Sequence, residues 1–145
     1  MVVAIGNDHR AYTLKKKIAV YLTGKNINYI DMGSDSEDSC DYPDFGYKTA
    51  QAVSAGEADL GILLCSNGIG MSIVANKVKG VRAANCFTIL HGKSSRAHNN
   101  VNVLVLGDDY SDKALEILDA WLNAEFESGG RHERRVNKIH QLTGL

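Results

Sequence analysis

A chain of 145 residues fits one domain and leaves no room for a second of full size. Its composition, 44% hydrophobic and 23% charged, is that of a globular protein able to bury a core of its own. Lys+Arg 16 against Asp+Glu 17 gives a net charge of -1, which excludes the bulk electrostatics of nucleic-acid binding. No apolar run reaches the roughly 18 residues of a membrane span, and the opening MVVAIGNDHR has no signal- or transit-peptide character. Three cysteines, Cys40, Cys65 and Cys86, show no metal-like pair spacing; they argue against a disulfide framework and for the reducing cytoplasm.

In chain order, short apolar runs alternate with helical periodicity. VVAIG (2–6), INYIDMG (27–33), DLGILLC (59–65), VRAANCF (81–87) and VNVLVLG (101–107) read as strands. DLGILLC and VNVLVLG are apolar on both faces, as strands covered on both sides by helices must be. After the first strand, Leu14, Ile18, Tyr21 and Leu22 share a helical face, with Lys15, Lys16 and Lys17 fanned over the other. The acidic stretch DSEDSCD (35–41) lacks the spacing and glycine of an EF-hand and reads as a solvated loop. After the fifth strand, Ala114, Leu118, Trp121 and Leu122 form an apolar stripe, with Ser111 or Asp112 as the expected N-cap. About five βα units in a row predict a three-layer αβα sandwich, a Rossmann-like doubly wound parallel sheet spanning 1–145.

In such sheets the ligand sits beyond the carboxyl ends of the strands, at the point where strand order reverses. Cys65 ends a buried strand and precedes SNGIG, where a helix begins. A thiol facing that helix start is expected to have a lowered pKa. The backbone N–H groups from Ser66 to Gly70, folded tightly around Gly68 and Gly70, can converge on an oxyanion or phosphate. The third glycine of a dinucleotide fingerprint is missing. Asp8-His9 closes the first strand, where an acid can orient a hydroxyl and an imidazole can hold a phosphate; a helix N-cap explains Asp8 equally well. His98, in SSRAHNN (94–100), suits an acid/base role or an exposed position. In GGRHERRVNKIHQL (129–142), Arg131 and Arg135 lie one turn apart at a helix start, a spacing suited to clamping a phosphate or simply to a solvated face. The set suits proton shuttling on a small phosphorylated anion without deciding which one.

Together, AIGNDHRAYTLK, DYPDFG, ADLGILLCSNGIGMSIVANKVKGVRAA, SRAHNNVNVLVLG and GGRHERRV, in this order, resemble the type B ribose-5-phosphate isomerase family. The wider group includes galactose-6-phosphate isomerase subunits. The resemblance covers essentially the whole chain. It implies interconversion of ribose 5-phosphate and ribulose 5-phosphate in the pentose phosphate pathway, with no metal or organic cofactor. Carried over, Cys65 looks like the base that moves a proton between C1 and C2 through a cis-enediolate. The N–H groups of Ser66, Asn67, Gly68, Ile69 and Gly70 look like its anion hole. His98 would open the furanose ring, Asp8 and Asn99 would hold hydroxyls, and His9, Arg131 and Arg135 would hold the phosphate.

The resemblance also implies a homodimer or tetramer with shared sites, the His98 segment reaching the neighbouring chain and the helix at 131–142 packing near it. Two departures stand out. Ser66-Asn67 replaces the usual Gly-Thr or Gly-Ser, and Asp109 stands where many members place an arginine on the phosphate. Asp109 is expected to cap the following helix, or to be offset by Lys93 or Arg96. In galactose-6-phosphate isomerases the subunits typically divide the cysteine and the histidine, so Cys65 and His98 together in one chain favour a five-carbon substrate over galactose 6-phosphate, and turnover over a non-catalytic phosphosugar-binding module; allose 6-phosphate stays an open alternative.

Overall fold

The computed structural model describes residues 1–145. Five strands, β1 (Val2–Asn7), β2 (Asn28–Asp31), β3 (Leu60–Cys65), β4 (Ala83–Asn85) and β5 (Val103–Gly107), form one all-parallel sheet in the order β2-β1-β3-β5-β4. Six helices surround it: α1 (Tyr12–Gly24), α2 (Tyr42–Ser54), α3 (Ile69–Ala75), α4 (Ile89–Asn99), α5 (Ala114–Leu122) and α6 (Arg131–Thr143). The predicted αβα sandwich is what the chain forms.

The doubly apolar strands explain the layers. In β3, Ile62 and Leu64 enter a core shared with Leu14 and Ile18 of α1 and Leu118 and Trp121 of α5. The alternate residues Leu63 and Cys65 enter the opposite core with Ala50 and Met71. β5 divides the same way, Leu104 and Leu106 to one face and Val103 and Val105 to the other. The period of two is the pleat. The edge strands are shorter than their apolar runs: β2 is exposed throughout, and β4 spans only three residues.

Two local expectations are corrected. Lys15 does not lie on the solvated face of α1 but is buried, with Nζ 2.9 Å from Asp31 Oδ2 and donating to the Ser34 carbonyl at 2.7 Å. Neither Ser111 nor Asp112 caps α5: residues 108–113 form a 3₁₀ turn, and α5 starts after Lys113 with no side-chain cap.

Candidate active site

The chain runs outward from β1 to β2 and returns to β3 on the other side of β1, so strand order reverses between β1 and β3. There the Asp8 N–H donates to the Leu64 carbonyl at 3.1 Å, binding the exit of β1 to the exit of β3. This register brings Asp8, His9, Cys65 and the turn 66–70 together. The start of the 3₁₀ turn joins them, since the Asp109 N–H donates to the Ser66 carbonyl at 2.8 Å.

The turn is shaped by Gly68, in the left-handed region at φ 79°, where a Cβ would stand 2.2 Å from Asn85 Oδ1. Asn85, at the end of β4, donates from Nδ2 to the Asn67 carbonyl at 2.9 Å and fixes the turn from the side. A Cβ on Gly70 would stand 2.6 Å from the Tyr42 ring. The polar Asn85 inside an apolar strand run was the signal in the sequence for its role; Tyr42 left none outside the DYPDFG block.

Gly68 donates its N–H to Cys65 Sγ at 3.2 Å. The expectation of a lowered thiol pKa is nevertheless overturned. Burial raises it, the N–H groups of Met71, Gly68 and Asn67 pull it back, and the Asp8 carboxylate raises it further, leaving it above the ordinary thiol value. The helix start is real, but desolvation outweighs it. In the turn, the Ile69 N–H is held by Asn67 Oδ1 at 3.0 Å, so an incoming oxyanion must displace that side chain to use it.

Asp8 does act as the cap of the 3₁₀ turn at His9–Ala11, with Oδ1 accepting from Arg10 and Ala11 at 3.0 and 3.3 Å. Only its other oxygen remains for a ligand. Burial raises its pKa, opposed by those two N–H groups and by His9 and Arg10. The Cys40 N–H donates to His9 Nδ1 at 3.2 Å, which leaves the ring proton on Nε2, and His9 lines a cleft with Arg10, Thr13, Glu37 and Asp108. The acidic loop thus sets the tautomer of His9.

His98, Asn99, Arg131 and Arg135 are not in this cluster. Helix α4 starts beyond the carboxyl end of β4 and runs back, so His98 lies where the chain turns into the amino end of β5. Cys65 pairs with Gly107 at the other end of β5, a strand length of roughly 15 Å away. His98 instead stacks on His132, with Arg131 beside it. Arg131 and Arg135 are both exposed on α6. Asp109 is exposed and caps no helix, so the expected cap is absent, while Arg96 donates to Asn100 Oδ1 and the Val101 carbonyl at 3.0 and 3.1 Å.

The reversal point carries a thiol, a buried acid and a turn of N–H donors, and residues 3–139 match the Ribose/Galactose Isomerase family, to which this chain belongs. Among its relatives, ribose-5-phosphate isomerase B of Escherichia coli is 42% identical over 139 residues, covering 94% of this chain and 93% of the relative. The structure of Clostridium thermocellum ribose-5-phosphate isomerase B superposes with a TM-score of 0.95 at 49% identity, over 98% of this chain and 97% of that one. Ribose-5-phosphate isomerase B of Mycoplasma genitalium, solved with bound ribulose-5-phosphate, matches with a TM-score of 0.91 at 40% identity, over 97% and 95% of the two chains. No helix is long and apolar enough to cross a membrane.

Proposed function

We propose that this protein is a ribose-5-phosphate isomerase that converts ribose 5-phosphate and ribulose 5-phosphate reversibly in the cytoplasm. The observation that carries the reading is Cys65, placed at the reversal point between the Asp8 carboxylate and the N–H of Gly68. Cys65 as thiolate takes the proton from C2 of the open-chain aldose. The electron pair shifts to give a cis-enediolate, the same sulfur returns the proton to C1, and the O2 hydroxyl proton passes to O1, leaving the C1 hydroxyl and C2 carbonyl of the ketose. Its raised pKa makes it a stronger base when ionised, at the cost of a smaller ionised fraction. N–H groups of the turn 66–70 stabilise charge that exists only in the intermediate, once Asn67 has swung clear of Ile69.

Asp8 holds a hydroxyl with its uncapped oxygen, and His9 Nε2–H binds the phosphate. His98 opens the furanose ring, Asn99 holds a hydroxyl, and Arg131 and Arg135 clamp the phosphate. Because those four stand at the far end of the sheet from Cys65, they serve the Cys65 site of a neighbouring copy. The working unit is a homodimer or a tetramer of such dimers, with α6 close to the partner.

Purified protein treated with a chelator is expected to turn over ribose 5-phosphate, and Cys65→Ala to reduce kcat by about 10²–10⁴-fold with the fold intact. A loss below about tenfold removes Cys65 as the base. Because the family is described as embracing ribose and galactose isomerases, allose 6-phosphate and galactose 6-phosphate belong in the same assay. A higher kcat/KM on either replaces the five-carbon reading, and phosphate binding without turnover of any of them leaves only a binding module.

A further inference from the structure

Outside the Cys65 cluster, metal-ligating side chains gather where α4, the connection 123–130 and α6 meet. The rings of His98 and His132 stack with centroids 4.3 Å apart and planes 8° from parallel. Both turn Nε2 to one carboxylate: His98 Nε2 is 3.5 Å from Glu127 Oε1, and His132 Nε2 is 3.6 Å from Glu127 Oε2. One ligand atom from each of the three residues lies within 4.8 Å of the other two. The Glu127 N–H donates to the Ala97 carbonyl at 2.9 Å, which ties the connection to the turn that carries His98. Three chain segments therefore converge on one point.

The geometry points to a zinc site formed by His98, Glu127 and His132, through which zinc inhibits the enzyme. Two imidazoles and one carboxylate are a zinc ligand set that leaves a fourth position to water. Ligand atoms at zinc bonding distance from a tetrahedral ion stand about 3.4 Å apart, and each imidazole meets one of the two Glu127 oxygens at close to that separation. Closing the set needs the stacked rings to splay about their soft χ2 torsions and Glu127 to draw in.

Two positive groups oppose the ion: Arg131, with Nε 3.5 Å from His132 Nε2, and Arg135 one turn further along α6. They keep the affinity below that of a closed structural zinc centre. Inhibition follows because an ion on His98 occupies a lone pair that ring opening uses. That consequence rests on the role proposed for His98, whereas the binding does not.

Calorimetric titration of the full chain with zinc chloride, near neutral pH and without phosphate, tests the site. One zinc per chain is expected, weakened about tenfold or more in His132→Ala, His132→Gln and Glu127→Gln, and unchanged in Cys40→Ser and Cys65→Ser. Absence of binding, unchanged binding in the His132 and Glu127 variants, or loss in either cysteine variant overturns it. Matching circular dichroism spectra and melting temperatures show that the variants are folded. Zinc binding with this residue dependence in a protein that fails to turn over ribose 5-phosphate would uphold the site and sink the isomerase reading; turnover with no zinc binding would do the reverse.

Discussion

Gly68 donates its backbone N–H to the sulfur of Cys65 across 3.2 Å, yet the thiol pKa stands above its ordinary value. Burial raises its pKa, the N–H groups of Met71, Gly68 and Asn67 lower it, and Asp8 raises it again. The thiolate fraction, and with it alkylation and proton transfer, grows as pH rises through the thiol pKa. Iodoacetamide modification of Cys65 as a function of pH, followed by mass spectrometry, is expected to have its midpoint above the ordinary thiol value. Asp8→Asn removes the opposing charge and is expected to move the profile toward lower pH, because Asn can still accept from Arg10 and Ala11. A midpoint at or below the ordinary thiol value in the unsubstituted protein would show that desolvation is not the dominant effect.

Lys15 joins α1 to the exit of β2 through Asp31 and the Ser34 carbonyl. Its side chain is 5% exposed while that of Asp31 is 41% exposed, so water can solvate the carboxylate if the pair is broken. Lys15→Met keeps the packing of the stem but leaves the Ser34 carbonyl without its donor. Urea denaturation is expected to show a loss of about 1–3 kcal/mol, below the cost of breaking a fully buried pair. No loss would mean that the pair and the carbonyl bond contribute nothing net.

The layers of this fold were legible because β3 and β5 are apolar at every position, a pattern that only a strand covered on both faces requires. The reversal point was equally legible, since it follows from a run of βα units and places Asp8 and Cys65 at strand exits. What could not be read depends on tertiary neighbours. The partner of Lys15 lies 16 residues away on an edge strand, so three consecutive lysines looked equivalent. The direction of the Cys65 pKa depends on how much the surrounding core desolvates the sulfur and on the approach of Asp8, which the β1–β3 register alone creates. Glu127, in a connection without periodicity, carried no signal of its place between His98 and His132.

Cys65 and His98 stand at opposite ends of β5, so one chain cannot bring them to the same sugar. Cys65→Ala and His98→Asn are each expected to be nearly inactive alone. Co-refolding the two in equal amounts should restore measurable activity, because a heterodimer retains one site with both groups intact. Mass spectrometry of differently tagged chains verifies that heterodimers form. If they form and activity stays at the level of the separate variants, the site is not shared.

Asp109 lies beside the active-site turn, and its side chain does not cap α5. Its backbone is fixed at the active-site turn by the bond to the Ser66 carbonyl. A carboxylate about 6 Å from the substrate phosphate would cost about 3 kcal/mol at an effective dielectric of 20, but Asp109 is exposed, and at the dielectric of water the same separation costs about 0.7 kcal/mol. The second figure governs an exposed group, and it corresponds to roughly a threefold change in affinity. Asp109→Ala is therefore expected to change KM for ribose 5-phosphate by about threefold or less. Arg135→Ala, which removes a charge-assisted bond to the phosphate, is expected to raise KM about tenfold or more. Steady-state kinetics at low and high ionic strength checks both, since the effect of Asp109 should fade with salt. A fall in KM of about tenfold or more in Asp109→Arg would show instead that the clamp is incomplete, and would direct the search toward a natural substrate other than ribose 5-phosphate.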